Sequence, residues 1–175
     1  MGVLLVIAGG LAALVVLLAV AGLFVPRAHV ATSAVRVSRP AQVVWDAIAD
    51  YSAWPAWAPG VKAIESAGER DGSPVWRMVS RHGAMPWVIE VDEPPRRRVT
   101  RIVDDGLAFG GAWTWTIDAD GAGSRVTLTE DGFIRNPVFR TLAHFAFGYH
   151  GTIESFLRAL AKRLGDVDAR VERLR

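Results

Sequence analysis

Hydrophobic residues recur along this chain with two different periods, and the change of period predicts where helices and strands lie. Near the carboxyl terminus the apolar positions are three and four residues apart, which places them on one stripe of an α-helix. The stripe consists of Val138, Leu142, Phe145, Tyr149, Ile153, Phe156, Leu160 and Leu164. The spacing predicts one long helix over residues 136–164.

Between residues 31 and 134 the period is close to two, which is typical of short strands. A first strand ends near Ser38, and Pro40 suits the first turn of a helix that reaches about Asp50. Six more strands are predicted at residues 61–69, 74–82, 86–92, 97–103, 109–119 and 124–133. Short turns rich in Gly, Asp and Pro join them. The pattern therefore predicts an antiparallel meander, and the terminal helix must cover its open face.

The opening segment, residues 2–25, contains no charged side chain. A helix of this length spans about 36 Å, enough to cross a hydrocarbon core of about 30 Å. A cleaved signal peptide is the alternative, but it would carry a basic stretch ahead of a shorter apolar run. We therefore predict a retained transmembrane anchor at residues 1–26, with the membrane contacted by residues 2–25, and one folded domain at residues 27–175.

The charged residues all follow this apolar segment, and the net charge is only +2. Arg27, Arg36 and Arg39 come soon after it, so the positive-inside rule predicts a single-pass protein with a cytoplasmic domain. The absence of cysteine agrees with that side. A nucleic-acid partner is not expected, because the basic residues form no stripe with interleaved aromatics. The oligomeric state stays open.

The densest basic run, Arg96 to Arg98 with Arg101 nearby, follows two prolines at a predicted hairpin. The simpler interpretation is a solvated turn. The alternative is attraction to anionic lipid headgroups, which the predicted anchor would bring close.

Three stretches resemble the helix-grip superfamily that includes START proteins, polyketide cyclases and birch-pollen-allergen-like proteins, often called SRPBCC. They are VSRPAQVVWDAIADYSAWPAWAPGV at residues 37–61, DGAGSRVTLTED at residues 120–131 and FLRALAKRLGD at residues 156–166. The resemblance implies an α+β fold in which an antiparallel curved sheet of about seven strands wraps on a long C-terminal helix. The transmembrane helix is an addition to that domain pattern. Members usually leave a cavity under the terminal helix.

One face of the predicted sheet is rich in Trp, Met and Ile, and this face would meet the helix. Each of these side chains taken alone is better explained as core. The resemblance favours a ligand pocket for the set, which consists of Trp76, Met78, Trp87, Ile89, Trp113, Trp115, Phe145 and Tyr149. Gly148 and Gly151 lower the stability of a helix and either permit a kink at the pocket mouth or allow close packing on the sheet.

The sequence carries few signs of catalysis. It has no cysteine, and its four histidines lie in no metal-binding pattern, so neither a metal nor a cofactor is expected. Two side chains are candidates for an acid or base. Glu130 shares the phase of apolar neighbours in its strand, and His150 lies beside Tyr149 in the predicted helix.

The leading hypothesis is a membrane-anchored protein that binds a lipid-like or other apolar small molecule between sheet and helix. An enzyme of the cyclase or dehydratase kind is the alternative, and it requires an acid or base that faces an open cavity. A third hypothesis is a ligand-free interaction module, which predicts a collapsed cavity and an apolar patch around Leu107 and Phe109.

Overall fold

The computed structural model describes residues 2–81 and 83–174, and it begins with the apolar helix α1, Gly2–Phe24. The side chains of this helix are almost all exposed, and Gly22 is its one buried residue. The helix is long and apolar enough to cross a membrane.

Within these described residues, eight strands form one antiparallel sheet, and helices are inserted after the first strand and after the seventh. The strands are β1 (Ala28–Val37), β2 (Val61–Arg70), β3 (Ser73–Ser80), β4 (Gly83–Glu93), β5 (Arg97–Ile102), β6 (Phe109–Asp120), β7 (Gly123–Ile134) and β8 (Val171–Leu174). The helices after α1 are α2 (Ala41–Ala49), α3 (Trp54–Trp57), α4 (Pro137–Leu142) and α5 (Gly151–Arg163), with a 3-10 turn at Tyr51–Ala53.

The strand order is β2-β3-β4-β5-β6-β7-β1-β8, so the meander predicted from the sequence is confirmed. The first strand returns beside β7, where Val35 faces Val126, and the added strand β8 pairs with its other edge. The strand predicted over residues 74–82 corresponds to β3, while His82 lies outside the described residues. The α+β helix-grip fold expected from the sequence is therefore observed.

The hydrophobic core lies between the concave face of the sheet and the helices α2 and α5. Apolar residues alternate along β6 and β7, and Trp115, Ile117, Val126 and Leu128 are all buried. Helix α5 buries Ile153, Leu157 and Leu160 against them. Burial of this kind contributes roughly 1.5–3 kcal/mol for each large apolar side chain.

The single long helix predicted over residues 136–164 is wrong in one respect, because the segment is broken. Asn136 caps α4 by accepting hydrogen bonds from the backbone N–H groups of Val138 and Phe139, at 2.9 and 3.1 Å. A π-helical turn follows at Ala143–Phe147, and it ends at Gly148, which has a φ of +71°. The sequence does not reveal this break, because the apolar residues before and after it are still three and four positions apart.

Candidate functional site

A cavity of about 1090 Å³ lies between the concave face of the sheet and the segment that leads into α5. Its inner wall is formed by aromatic and aliphatic side chains of β3, β4, β5 and β6. Helix α5 closes one side with Thr152 and Phe156. The ring of Phe156 is held edge-on to Trp113, with centroids 4.9 Å apart. The volume of this cavity is slightly above the usual range of small-molecule pockets, about 300–1,000 Å³.

Five of the eight predicted pocket residues line this cavity, namely Met78, Trp87, Trp113, Trp115 and Tyr149. Trp76 is not part of the lining, and its ring packs on Tyr51 at 5.0 Å and on Trp87 at 6.4 Å between ring centroids. Ile89 is half-buried in β4, two residues beyond Trp87, and is not part of the lining. Phe145 is also not part of the lining. It is 72% exposed, because the π-helical turn rotates it away from the sheet. A ligand-binding role for the set of eight stays a prediction.

The carboxylate of Glu130 is a polar group on the cavity wall. It lies in β7 opposite Trp113, and Trp113 Nε1 donates to its Oε2 at 3.3 Å. His29 Nε2 donates to the other carboxylate oxygen at 3.2 Å. The imidazole of His29 in turn stacks on Tyr149, with ring centroids 4.1 Å apart. The sequence prediction that Glu130 points with its apolar neighbours therefore agrees with its position on the wall.

Arg98 is a second polar residue of the cavity wall. The prediction that the arginine run is a solvated turn is wrong for this residue. Its side chain is buried, with only 6% of the residue exposed, and it lines the cavity. Arg98 Nε donates to Asp92 at 2.8 Å, and Nη1 donates to the hydroxyl of Tyr51 at 3.1 Å. The guanidinium also lies 4.6 Å from the ring centroid of Trp45. Arg96, Arg97 and Arg101 are exposed as expected of a turn and its flanks.

Two tyrosines of the cavity wall have raised pKa values. Burial raises the pKa of Tyr51 to about 12, although the neighbouring Arg98 guanidinium acts in the opposite direction. Burial likewise raises the pKa of Tyr149. Both phenols therefore remain protonated hydrogen-bond donors at neutral pH.

His150, the other candidate acid or base, is not in the cavity lining. Its Nδ1 lies 3.1 Å from the hydroxyl of the buried Ser33 in β1, so it joins the start of α5 to the sheet. Within residues 2–81 and 83–174, no three His, Asp or Glu side chains come together as a metal site.

The mouth of the cavity is formed by lining residues that are also exposed. Its apolar part consists of Phe109, Phe139 and Phe147, which are 46%, 57% and 74% exposed. Its basic part consists of Lys62 and Arg81. Phe109 therefore belongs to an open cavity rather than to the separate patch that an interaction module would present.

Residues 28–165 match the family described as polyketide cyclase / dehydrase and lipid transport. The chain belongs to this family. The match extends from the start of β1 to just after α5, so it includes every element of the cavity and leaves α1 outside. No curated protein matches the sequence.

Solved structures agree with this polyketide cyclase / dehydrase and lipid transport fold. The Zhui aromatase/cyclase from Streptomyces sp. R1128 is 17% identical, with a TM-score of 0.61 over 79% of this chain and 94% of that one. The protein XoxI from Bacillus cereus is 16% identical, with a TM-score of 0.61 over 79% and 97%. A START superfamily protein from Mycobacterium smegmatis is 20% identical, with a TM-score of 0.58 over 79% and 99%. At these identities the likeness establishes the shared fold.

Two polar residues of this cyclase-family cavity were missed by the sequence analysis. His29 belongs to β1, which begins at Ala28 and so earlier than predicted, and it shares the inward phase of Ala31 and Val35. Arg98 shares the phase of Thr100 and Ile102, which also line the cavity. Strand alternation indicates that both side chains point inward. His29 was missed because the predicted first strand began too late, and Arg98 was missed because it belongs to a run of arginines.

Proposed function

We propose that this protein is a membrane-anchored binding protein for a lipid-like or other apolar small molecule, held in the cavity between the sheet and α5. The observation that carries the proposal is the open cavity of about 1090 Å³, whose lining is mostly aromatic and aliphatic. A space of this size and lining binds an apolar ligand by removing its surface from water, worth about 25 cal/mol for each Å² buried.

The position of the charges supports an apolar ligand with limited polar character. Arg98 is already paired with Asp92 across 2.8 Å, and Glu130 already accepts two N–H donors. A fully charged ligand would have to compete with these contacts. A ligand hydroxyl can instead donate to a free lone pair of Glu130, and a ligand carbonyl can accept from a tyrosine hydroxyl.

The anchoring part of the proposal is supported by α1. Its 23 residues contain no acidic residue in the first turn and no basic residue in the last, and they are almost entirely exposed. An apolar ligand dissolves in the bilayer, so an anchor would keep the cavity beside its source. The basic residues Arg27, Arg36 and Arg39 favour a cytoplasmic domain.

The test is solvent extraction of the full chain, purified in detergent and exchanged into nanodiscs of a single synthetic phospholipid. Mass spectrometry of the extract should reveal an apolar molecule from the expression host, at a constant ratio to protein through further purification. An extract that contains only the added phospholipid and detergent, even after incubation with a total lipid extract, would contradict binding.

A second candidate is catalysis of the cyclase or dehydratase kind, and the contact between His29 and Glu130 favours it. A carboxylate held 3.2 Å from an imidazole on the wall of a cavity can accept and return a proton. Glu130→Gln keeps the shape of this group and removes its basicity. Glu90→Gln is the matched control, because Glu90 is exposed and pairs with Arg101.

The full chain would be incubated with linear poly-β-ketone thioesters, and products would be identified by liquid chromatography and mass spectrometry. An enzyme should convert them in the wild type and in Glu90→Gln, and lose the conversion in Glu130→Gln. Lack of conversion in the wild type counts against catalysis on this substrate class and leaves ligand binding unaffected.

A further inference from the structure

Residues 136–149, here called the gate segment, expose large apolar side chains beside the cavity mouth. Phe139, Phe145 and Phe147 are 57%, 72% and 74% exposed. The segment contains no acidic residue, and its only arginine, Arg140, is buried. Three exposed phenylalanines within nine residues form an apolar surface, and the exposure of such a surface to water is unfavourable.

The gate segment packs on α1, and two hydrogen bonds and one close backbone approach join them. The hydroxyl of Thr141 donates to the backbone carbonyl of Leu18 at 2.7 Å. Arg140 Nη1 donates to the carbonyl of Val25 at 3.3 Å, just beyond the end of the helix. At Gly22 the two backbones are so close that an added Cβ would collide with the carbonyl oxygen of Pro137.

These contacts fix the depth of the gate segment relative to α1. Leu18 precedes the last residue of the helix, Phe24, by six residues, which is about 9 Å along the axis. The whole helix measures about 34 Å, against a hydrocarbon core of about 30 Å. If α1 crosses the bilayer, the excess length is smaller than the distance from Phe24 to Leu18. Thr141 then lies at the level of the acyl chains and not in bulk water.

The same segment forms one side of the cavity mouth. Phe139, Ala143 and Phe147 line the cavity, and so does Gly148, at which the π-helical turn ends. The exposed basic residues Lys62 and Arg81 also line the cavity, and their charge suits the anionic headgroups that lie just outside the hydrocarbon.

We propose that the gate segment is embedded in the bilayer surface, held there by α1, and that the cavity fills directly from the leaflet beside the anchor. This inference rests on the proposed function, since it requires α1 to be a membrane span. The occupant of the apolar surface is a lipid bilayer, because the surface is continuous with the helix that enters it.

Depth is measured with single-cysteine variants of the full chain, which are simple to make because the natural sequence has no cysteine. Phe145→Cys is labelled with an environment-sensitive nitrobenzoxadiazole dye, since this side chain is exposed and does not line the cavity. Ala122→Cys is the matched control. It lies exposed in the turn between β6 and β7, at the opposite end of a 12-residue strand from the gate segment.

Each labelled protein is reconstituted into vesicles of phosphatidylcholine and phosphatidylglycerol that contain lipids with spin labels on the acyl chains. The dye at position 145 should emit at shorter wavelength and be quenched by the spin-labelled lipids, whereas the dye at position 122 should not change. A dye at position 145 that stays as water-exposed as the dye at position 122 would overturn the proposal. Ligand extraction from the same sample is a separate readout, so bound ligand with a water-exposed gate rejects this inference alone.

Loading is tested with Phe145→Asp and the control Val167→Asp, which alters an equally exposed residue after α5. A carboxylate disfavours the bilayer, so Phe145→Asp should take up a fluorescent acyl lipid from its own vesicle about tenfold more slowly. Its final occupancy should equal that of the wild type, because the cavity wall is unaltered. Equal loading rates of the two variants would contradict filling through an embedded gate.

Discussion

Replacement of Gly148 by alanine should destabilise the protein through backbone strain alone. Gly148 has φ +71° and ψ 170°, a region that is essentially restricted to glycine. An added Cβ at this position meets no atom within 4 Å, so no steric clash contributes. Strain of this kind costs about 1–3 kcal/mol. Taking about 2 kcal/mol, the Tm should fall by about 4–8 °C, since a domain of this size loses about 2–4 °C for each kcal/mol.

Gly151→Ala provides the control for that measurement. Gly151 is the first residue of α5, has no positive φ and also has open space around its Cβ. Alanine should therefore leave the Tm unchanged or raise it by about 2–4 °C, because glycine disfavours a helix by up to about 1 kcal/mol. Tryptophan fluorescence during heating of the full chain in detergent gives both values. Equal Tm values for the two variants would refute the positive-φ backbone conformation of Gly148.

Three further predictions concern the cavity. Thr100→Trp should place an indole in part of the ligand space and weaken binding of a fluorescent acyl lipid about tenfold, whereas Thr116→Trp, on a β6 residue outside the lining, should bind normally. Arg98→Met should lower the Tm by about 4–8 °C through loss of a buried, multiply bonded guanidinium worth about 2 kcal/mol, while the exposed Arg97→Met should not. Because the pKa of Tyr51 rises from 10.0 to about 12 on folding, its phenol favours the folded state while protonated. Stability should therefore fall as the pH rises from about 10 to about 12, and a Tyr51→Phe variant should lose that part of the pH dependence in denaturant titrations.

The sheet was predictable from the sequence because its strands alternate with a period close to two and its turns carry glycine, proline or aspartate. Trp113, Trp115 and Ile117 in β6, for example, have the period of two that places Trp115 and Ile117 in the core. The terminal helix was predictable only in part. The stripe of Ile153, Phe156 and Leu160 is buried as its spacing indicates.

The break before α5 was not predictable in the same way. The spacing of apolar residues indicates which side of a helix is apolar, but not whether the helix is continuous. Phe145 fits that spacing, yet the π-helical turn exposes its side chain in the structure. Gly148 hinted at the break through its low helix propensity. The polar groups of the cavity depend on tertiary packing. Alternation places Arg98 in phase with Thr100 and Ile102, but it does not indicate that Asp92, Tyr51 and Trp45 are there to stabilise the buried guanidinium.

Native mass spectrometry of the full chain tests the central proposal most directly. The wild-type protein, released from detergent micelles after incubation with a total lipid extract, should appear with one apolar molecule bound in excess of the bare chain. Thr100→Trp should appear with a clearly larger fraction of the bare chain under the same conditions, since its indole takes up part of the ligand space. A wild-type spectrum that contains only the bare mass, or equal adducts on both proteins, would contradict a ligand held between the sheet and α5.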